Sequence, residues 1–416
     1  MSKAWWLIAA LAAVFTATLA VPAQAADAVK IGVIYPLTGN AASAGQSAKD
    51  AVNLGADIIN TAHPELKALP LGATAGLPNL GGAKIELDEA DHQGNPQVGQ
   101  QQTIRLITQD HVVAMLGSYH SSVTLVATAV AERQGIPFLV GDSVAANITA
   151  RGFKWVFRTT PIAPDFAKAY AEFLTDLRKS GKKIDSIAVV NENTDYGSSV
   201  AASILDAAKA ANITVAAQIP YNANSSDVSA QVLQLKTLAP DAVIFVSYSS
   251  DTILYFRTLK NLDYLPPIII GDDAGFSDPG FIPNVGDLAQ GAINRSAFDI
   301  GKPGTNSYVV NQMFKAKYGR DLDDTSARWM QGLFVLADAI NRAGSTAPEK
   351  IQAALRATDL KPDQLIMGYN GVKFDDTGQN TLSATFLIQL QGKQYVSVWP
   401  EHSATGKLAW PMQGWR

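Results

Sequence analysis

From Val29 onward, short β-branched runs alternate with helix-length segments, and the alternation then restarts as a second unit. Strands are expected at residues 30–35, 84–87, 112–116 and 137–140. Between the first two, residues 44–62 put Ala48, Ala51, Val52, Gly55, Ile58 and Ile59 on one helical stripe. A second helix is expected at 96–109, with Asn95 as its cap and Pro96 in its first turn. A third follows the 112–116 strand directly, from Ser121 or Ser122 to Gln134. The pattern repeats with strands at 186–190, 214–219, 242–246 and 267–270 and helices at 198–211, 227–238 and 251–261. Repeated β-α-β units bury a parallel sheet between helices, so two consecutive α/β units are expected. A helical block at 306–318, 325–343 and 348–358 follows, and strands near 372–374 and 384–388 close the chain. Residues 66–82, rich in Gly, Pro, Leu and Ala, interrupt the first unit as an irregular insertion.

The N-terminus decides the compartment. Lys3 precedes a stretch without charge from Ala4 to Ala26, apolar over residues 5–20, and Pro22 then leads into Ala23-Gln24-Ala25. A positive start, an apolar core and a small-x-small site make residues 1–25 an expected cleavable signal peptide. No later segment has the ~20 apolar residues that a membrane-spanning helix needs. The chain contains no cysteine, which excludes disulfides, thiolate metal sites and a cysteine nucleophile. It also removes the point where a lipid anchor would attach. A net charge of −4 without Lys/Arg clusters gives no footprint for nucleic acid.

No catalytic template is satisfied. There is no phosphate-cradling G-x-x-x-x-G-K-[ST] segment. Gly141-Asp142-Ser143 begins like a nucleophile elbow, but Ala145 stands where the closing glycine belongs. The five histidines include no pair at metal-ligand spacing. Neither a cofactor nor a metal is expected.

In an open parallel sheet, ligands sit beyond the carboxyl ends of the strands. The residues just past those ends are short and polar: Tyr119, His120, Ser121, Ser122, Asp142, Tyr196, Tyr248, Asp272 and Asp273. Ser121 and Ser122 open a helix, where hydroxyls and free amides can hold a carboxylate without Arg or Lys, or can simply cap the helix. Asp273 can hold an ammonium or cap the turn that follows. Asp142 can form an acidic wall or bond its own backbone. The three tyrosines can line a pocket or pack half-buried.

These segments, taken in order, resemble the periplasmic binding proteins for leucine, isoleucine and valine, the receptors of amino-acid and amide import ATPases. The resemblance covers nearly the whole chain after the signal peptide. It rests on Lys30-Ile31-Gly32-Val33, Pro36-Leu37-Thr38-Gly39, Gly117-Ser118 through Thr124, Asn147-Ile148-Thr149-Ala150-Arg151-Gly152-Phe153, Phe157-Arg158-Thr159-Thr160 and Asp195-Tyr196-Gly197, and on residues 243–248. It implies an α/β fold of two Rossmann-like lobes joined by a three-crossover hinge, the type I periplasmic binding protein fold. Lobe 1 would comprise residues 26–160 and 297–370, and lobe 2 residues 161–296 and 371–416, with crossovers near 159–162, 294–298 and 369–374. By the resemblance, Ser121 would bind a ligand carboxylate with help from the Asp142 backbone. Tyr196 and Tyr248 would cover the ligand, and Asp273 would meet an α-ammonium.

Three positions depart from the branched-chain pattern: Ala44 replaces an aromatic residue, Val144 a hydroxyl residue, and Asp142 a small one. They shift the expectation towards a more polar or cationic amino compound or an amide. The function implied is capture of a small ligand in the periplasm for the membrane permease of an ABC importer, by a monomer without enzymatic activity. A ligand sensor docking on a signalling receptor, or a receptor for an aromatic carboxylic acid, is the competing reading.

Overall fold

The structure is a computed structural model that describes residues 27–415; the expected signal peptide, residues 1–25, lies outside the described residues. The first unit runs β1 (Val29–Tyr35), α1 (Ala42–Asn60), β2 (Ile85–Asp91), α2 (Pro96–Thr108), β3 (Ala114–Leu116), α3 (Ser121–Gln134), β4 (Phe138–Val140) and β5 (Val156–Arg158). The second runs α4 (Ala163–Lys179), β6 (Ser186–Glu192), α5 (Asp195–Ala210), β7 (Thr214–Tyr221), α6 (Ser229–Leu238), β8 (Ala242–Val246), α7 (Ser249–Asn261), β9 (Ile269–Gly271), α8 (Ala274–Ser277), α9 (Phe281–Val285) and β10 (Ile293–Ser296). The chain then forms α10 (Asn306–Tyr318), α11 (Asp324–Ala343), α12 (Pro348–Arg356), the β11 (Asp359–Leu360) and β12 (Val372–Lys373) pair, and the hairpin β13 (Phe386–Gln391) and β14 (Gln394–Trp399).

Two sheets result. The first is parallel throughout, in the order β2-β1-β3-β4-β5. The second, β14-β13-β10-β9-β8-β6-β7, is parallel from β10 to β7, and β13 and β14 add an antiparallel edge. Each parallel sheet with its helices is one lobe. α11 returns to the first lobe and packs along α1. A Cβ on Gly55 would come within 3.1 Å of Leu333 Cδ2, so glycine lets the two helices approach. Asp323 caps α11 through the Ser326 amide at 2.7 Å, and Trp329 stacks on Tyr35 at 5.0 Å between ring centroids.

The expected cap of α2 is present: Asn95 accepts from the Gln97 and Val98 amides at 2.9 and 3.2 Å. The 66–82 insertion follows on the 3₁₀ turn Pro64–Leu66, buries Leu66, Leu69 and Leu77, and packs a second 3₁₀ turn, Pro78–Leu80, against α11, where Asn79 N donates to Asn341 Oδ1 at 2.9 Å. α4 was not expected from the sequence, although Phe166, Tyr170, Phe173, Leu174 and Leu177 form its buried stripe. The third crossover comes later than residues 369–374. Gly378 O accepts from Arg158 N at 2.8 Å and Asn380 N donates to Arg158 O at 2.9 Å, so residues 378–380 extend the first sheet beyond β5. Residues 371–380 therefore pack with lobe 1, not with lobe 2 as the resemblance implied.

Candidate ligand site between the lobes

The carboxyl ends of β3 and β4 face those of β6, β8 and β9 across the interface between the lobes. From the first lobe come Tyr119, Ser121, Asp142, Ser143 and Val144; from the second come Tyr196, Tyr248, Asp273, Ala274 and Arg295. They enclose a cavity of about 20 Å³, room for roughly one water molecule. Seven of the eight expected site residues meet there. The exception is Ser122, half-buried on the next step of α3 and outside the lining, because consecutive helical residues point about 100° apart. Ala44 is buried in the core of the first lobe.

Ser121 is the first residue of α3, where three or four backbone amides lack an intrahelical partner. Among the described residues its Oγ accepts one long bond, from the Ala145 amide at 3.4 Å. Behind it, Ser143 and Thr124 lock the two strand-end loops together through a 2.6 Å hydroxyl pair, and Ser143 also donates towards Ser118 O and Tyr119 O. The rings of Tyr119 and His120 meet Tyr248 across the interface, with centroids 5.6 and 4.6 Å apart, and Tyr196 lies 5.1 Å from Tyr248. Tyr119 Oη is buried and has no hydrogen-bond partner among the described residues. Burial lifts its pKa, with Asp142 adding to the effect. Burial also drives the His120 pKa down to about 4 and that of neighbouring His92 well below its usual value, which keeps both rings neutral.

The electrostatic centre of the site is a set of buried carboxylates threaded by two arginines that sequence reasoning did not single out. Arg295, on β10, pairs with Asp272 at 3.0 Å and Asp273 at 3.4 Å, and its guanidinium stacks 3.5 Å above the Phe166 ring. Arg328, on α11, places Nη2 3.1 Å from Asp142 and 3.0 Å from Asp324, and against Asp273. The contacts to Asp142 Oδ1 and Asp324 Oδ2 are close but misaligned, and neither oxygen gains a hydrogen bond among the described residues. Burial raises the pKa of Asp142, against the pull of Arg328 and Arg295. Burial likewise raises that of Asp324 to about 6.

Asp273 is therefore not free to meet an ammonium as the resemblance implied. One oxygen accepts from Ser277 Oγ, the other faces Arg328 and Arg295, and its backbone sits at φ 57°, held by Asn294 Oδ1 on its amide at 2.8 Å. A non-glycine residue in that region carries strain that surrounding bonds must hold. Asp272 is likewise turned inward, accepting from Tyr170 and Tyr196. A signal for Arg295 was present in the sequence: a charge within Ile293-Asn294-Arg295-Ser296, at the end of a buried strand, needs a partner. Arg328 gave none, since an arginine in a 20-residue helix that also carries Arg342 is ordinary.

A model of the family described as periplasmic binding protein matches residues 28–394. The chain belongs to that family. This binding protein is 32% identical to the Leu/Ile/Val-binding protein homolog 8 of Brucella suis biovar 1 over 97% of its own length and 98% of the relative's. It is 30% identical to homolog 7 of the same organism over 95% and 97%. Among solved structures, the leucine-binding protein LivK of Thermotoga maritima superposes with a TM-score of 0.76 at 22% identity, covering 89% of this chain and 97% of that one. A solute-binding protein of R. palustris, solved in complex with benzoate, superposes with a TM-score of 0.75 at 18% identity, covering 92% and 97%. The type I periplasmic binding fold follows, with the site above at the interface between its lobes.

Proposed function

We propose that this protein is the capture component of an ABC importer, exported by the signal at residues 1–25, and that it takes a small zwitterionic amino compound between its lobes. It presents the closed ligand complex to a membrane permease and does no chemistry on its cargo. Lobe 1 is assigned residues 26–160 and 297–380, and lobe 2 residues 161–296 and 381–416. The observation that carries the ligand class is the pairing of Ser121, at the open end of α3, with Asp142, a buried carboxylate whose Oδ1 lies 3.1 Å from Arg328 but has no hydrogen bond among the described residues, in the lining of one cavity. The helix end and the hydroxyl hold a carboxylate. Asp142, rather than Asp273, takes the ammonium, and Tyr196 and Tyr248 close over the remainder. The cavity is smaller than any amino acid, so entry requires the lobes to part, and closure follows from contacts made to both. The leucine- and isoleucine-bound neighbours accord with this class.

An aromatic carboxylate is the second reading, favoured by the ring cluster and by the fact that Asp273 already has partners. Neighbours solved with benzoate and 3,4-dihydroxybenzoic acid belong to that class. Calorimetry with amino acids and benzoate separates the two. Ser121→Ala should weaken binding at least tenfold in either case, since a charge-assisted hydrogen bond is worth roughly 1.5–3 kcal/mol. Asp142→Asn should weaken an amino acid at least tenfold and leave benzoate unchanged or tighter. Unchanged affinity in both variants sinks the site.

A further inference from the structure

On the far side of the Arg328–Asp273 contact lies a cavity of about 510 Å³, again between the lobes. It is walled by the α8–α9 segment and the β13–β14 hairpin of the second lobe, and by the 296–300 crossover and the start of α11. It shares its partition with the small cavity: Asp324 lines the large one and contacts Arg328, which contacts Asp142 and Asp273 in the small one. Ser277, in the wall of the large cavity, donates to Asp273 from the same side. Its size is that of a small-molecule site.

The chemistry of the wall is lopsided. Five aspartates line it, 278, 299, 321, 323 and 324, against Arg320 and Lys393. Arg320 is committed to Asp50 at 2.8 Å and Ser47 at 3.0 Å and lies 3.9 Å from Asp323, Asp321 pairs with Lys315 at 3.1 Å and Asp324 with Arg328 at 3.0 Å, so Asp278 and Asp299 have no ion-pair partner among the described residues, and Lys393 is the wall's unpaired cation among them. Asp324 is 5% exposed and its Oδ2 has no hydrogen-bond partner among the described residues. The partition adds Asp142, Asp272 and Asp273, set with Asp324 against Arg295 and Arg328. Phe298, Leu322 and Tyr395 supply an apolar surface for an aliphatic stem. Arg328 and Asp273 belong to different lobes, so parting the lobes opens the partition.

We propose that the 510 Å³ cavity is the second compartment of the ligand site and receives the cationic side chain of an amino acid whose carboxylate and α-ammonium sit at Ser121 and Asp142. The assignment rests on the zwitterion reading above and narrows its ligand class to basic amino acids. L-Arginine and L-leucine are the probes, titrated calorimetrically at pH 7 and low ionic strength into the wild type and three variants. Asp299→Lys and Ile300→Trp alter exposed positions on the cavity wall; among the described residues the Asp299 side chain accepts from the turn amide Gly301 N. L-Arginine should bind at least tenfold tighter than L-leucine. Asp299→Lys should weaken L-arginine at least fivefold and Ile300→Trp at least tenfold, with L-leucine moving less than twofold. Ser121→Ala should weaken both. L-Arginine binding no tighter than L-leucine, or unmoved by both cavity variants, overturns the second compartment; loss of both ligands in Ser121→Ala alone would then leave the zwitterion site standing. Heat from neither amino acid overturns both.

Discussion

Of the buried guanidiniums in this protein, those of Arg158 and Arg328 are satisfied in opposite ways. Arg158, at the end of β5, gives all its side-chain bonds to neutral oxygens: Gln379 Oε1 at 2.7 Å, Ala145 O at 2.8 Å, Thr149 Oγ1 at 2.8 Å and Ser143 O at 3.1 Å. Burial lowers its pKa to about 9. Arg328 faces three carboxylates, yet its Nε and Nη2 lack a well-aligned hydrogen bond. The partners of Arg158 belong to lobe 1 as assigned above and stay together when the lobes move. Those of Arg328 come from both lobes, and one of them leaves on opening. Geometric satisfaction marks a fixed joint; strong charge with poor alignment marks a joint built to break.

The largest effect is expected where the joint is fixed. Arg158→Met strips four buried acceptors of their donor, at about 1–3 kcal/mol each. Urea unfolding should show a loss of at least about 5 kcal/mol, and Arg158→Lys should not restore it, because one ammonium cannot span the same fork. A loss below 1 kcal/mol would show that Arg158 is not a structural hub.

How much of this was legible in the sequence follows the same division. The parallel sheets could be read because buried strands such as Ile31–Tyr35 and Ala242–Val246 are nearly continuous apolar runs, and the helices between them carry caps and stripes. Most of the cleft lining could be read because sheet topology sends ligands to strand ends. The ionic network could not. Arg328 and Asp273 are far apart in sequence, and only the docking of α11 against the second lobe brings them together. The β5 strand, three residues long and ending in a buried arginine, carries too little pattern to be seen. The shift of residues 378–380 to the first sheet rests on two backbone bonds that no periodicity encodes.

The next effect falls on the mobile joint. Arg328→Met leaves Asp142, Asp273 and Asp324 without their shared cation, and breaking a buried pair from one side costs roughly 3–5 kcal/mol. Here part of that cost is avoidable, since the lobes can part and hydrate the carboxylates. Small-angle scattering of the ligand-free protein should show a larger radius of gyration for Arg328→Met than for wild type, whereas Asp273→Asn should give a smaller change in the same direction. Identical scattering in wild type and Arg328→Met would show that Arg328 does not hold the lobes together.

The smallest effect distinguishes the joints by pH. Asp324 carries a pKa of about 6 because burial penalises its charged form more than the Ala297 amide, Arg295 and Ser296 favour it. A carboxyl whose folded pKa is raised binds more protons folded than unfolded between its ordinary value of 3.8 and about 6. Its contribution to stability is therefore present below pH 3.8 and is lost as the pH rises through 6. At about 1.4 kcal/mol per unit this amounts to at most about 3 kcal/mol. Asp324→Asn keeps the Oδ1 acceptor that the Ala297 and Phe298 amides use and removes the titration. His120 slopes the other way: its folded pKa of about 4 gives stability that is present above pH 6.5 and lost as the pH falls towards 4. The two trends overlap, so the informative quantity is the difference between wild type and Asp324→Asn across pH 4 to 7. Wild type should lose stability relative to the variant as the pH rises. A difference that stays flat would mean that Arg328 fully compensates Asp324, and the cross-lobe joint would then be as well satisfied as the one around Arg158.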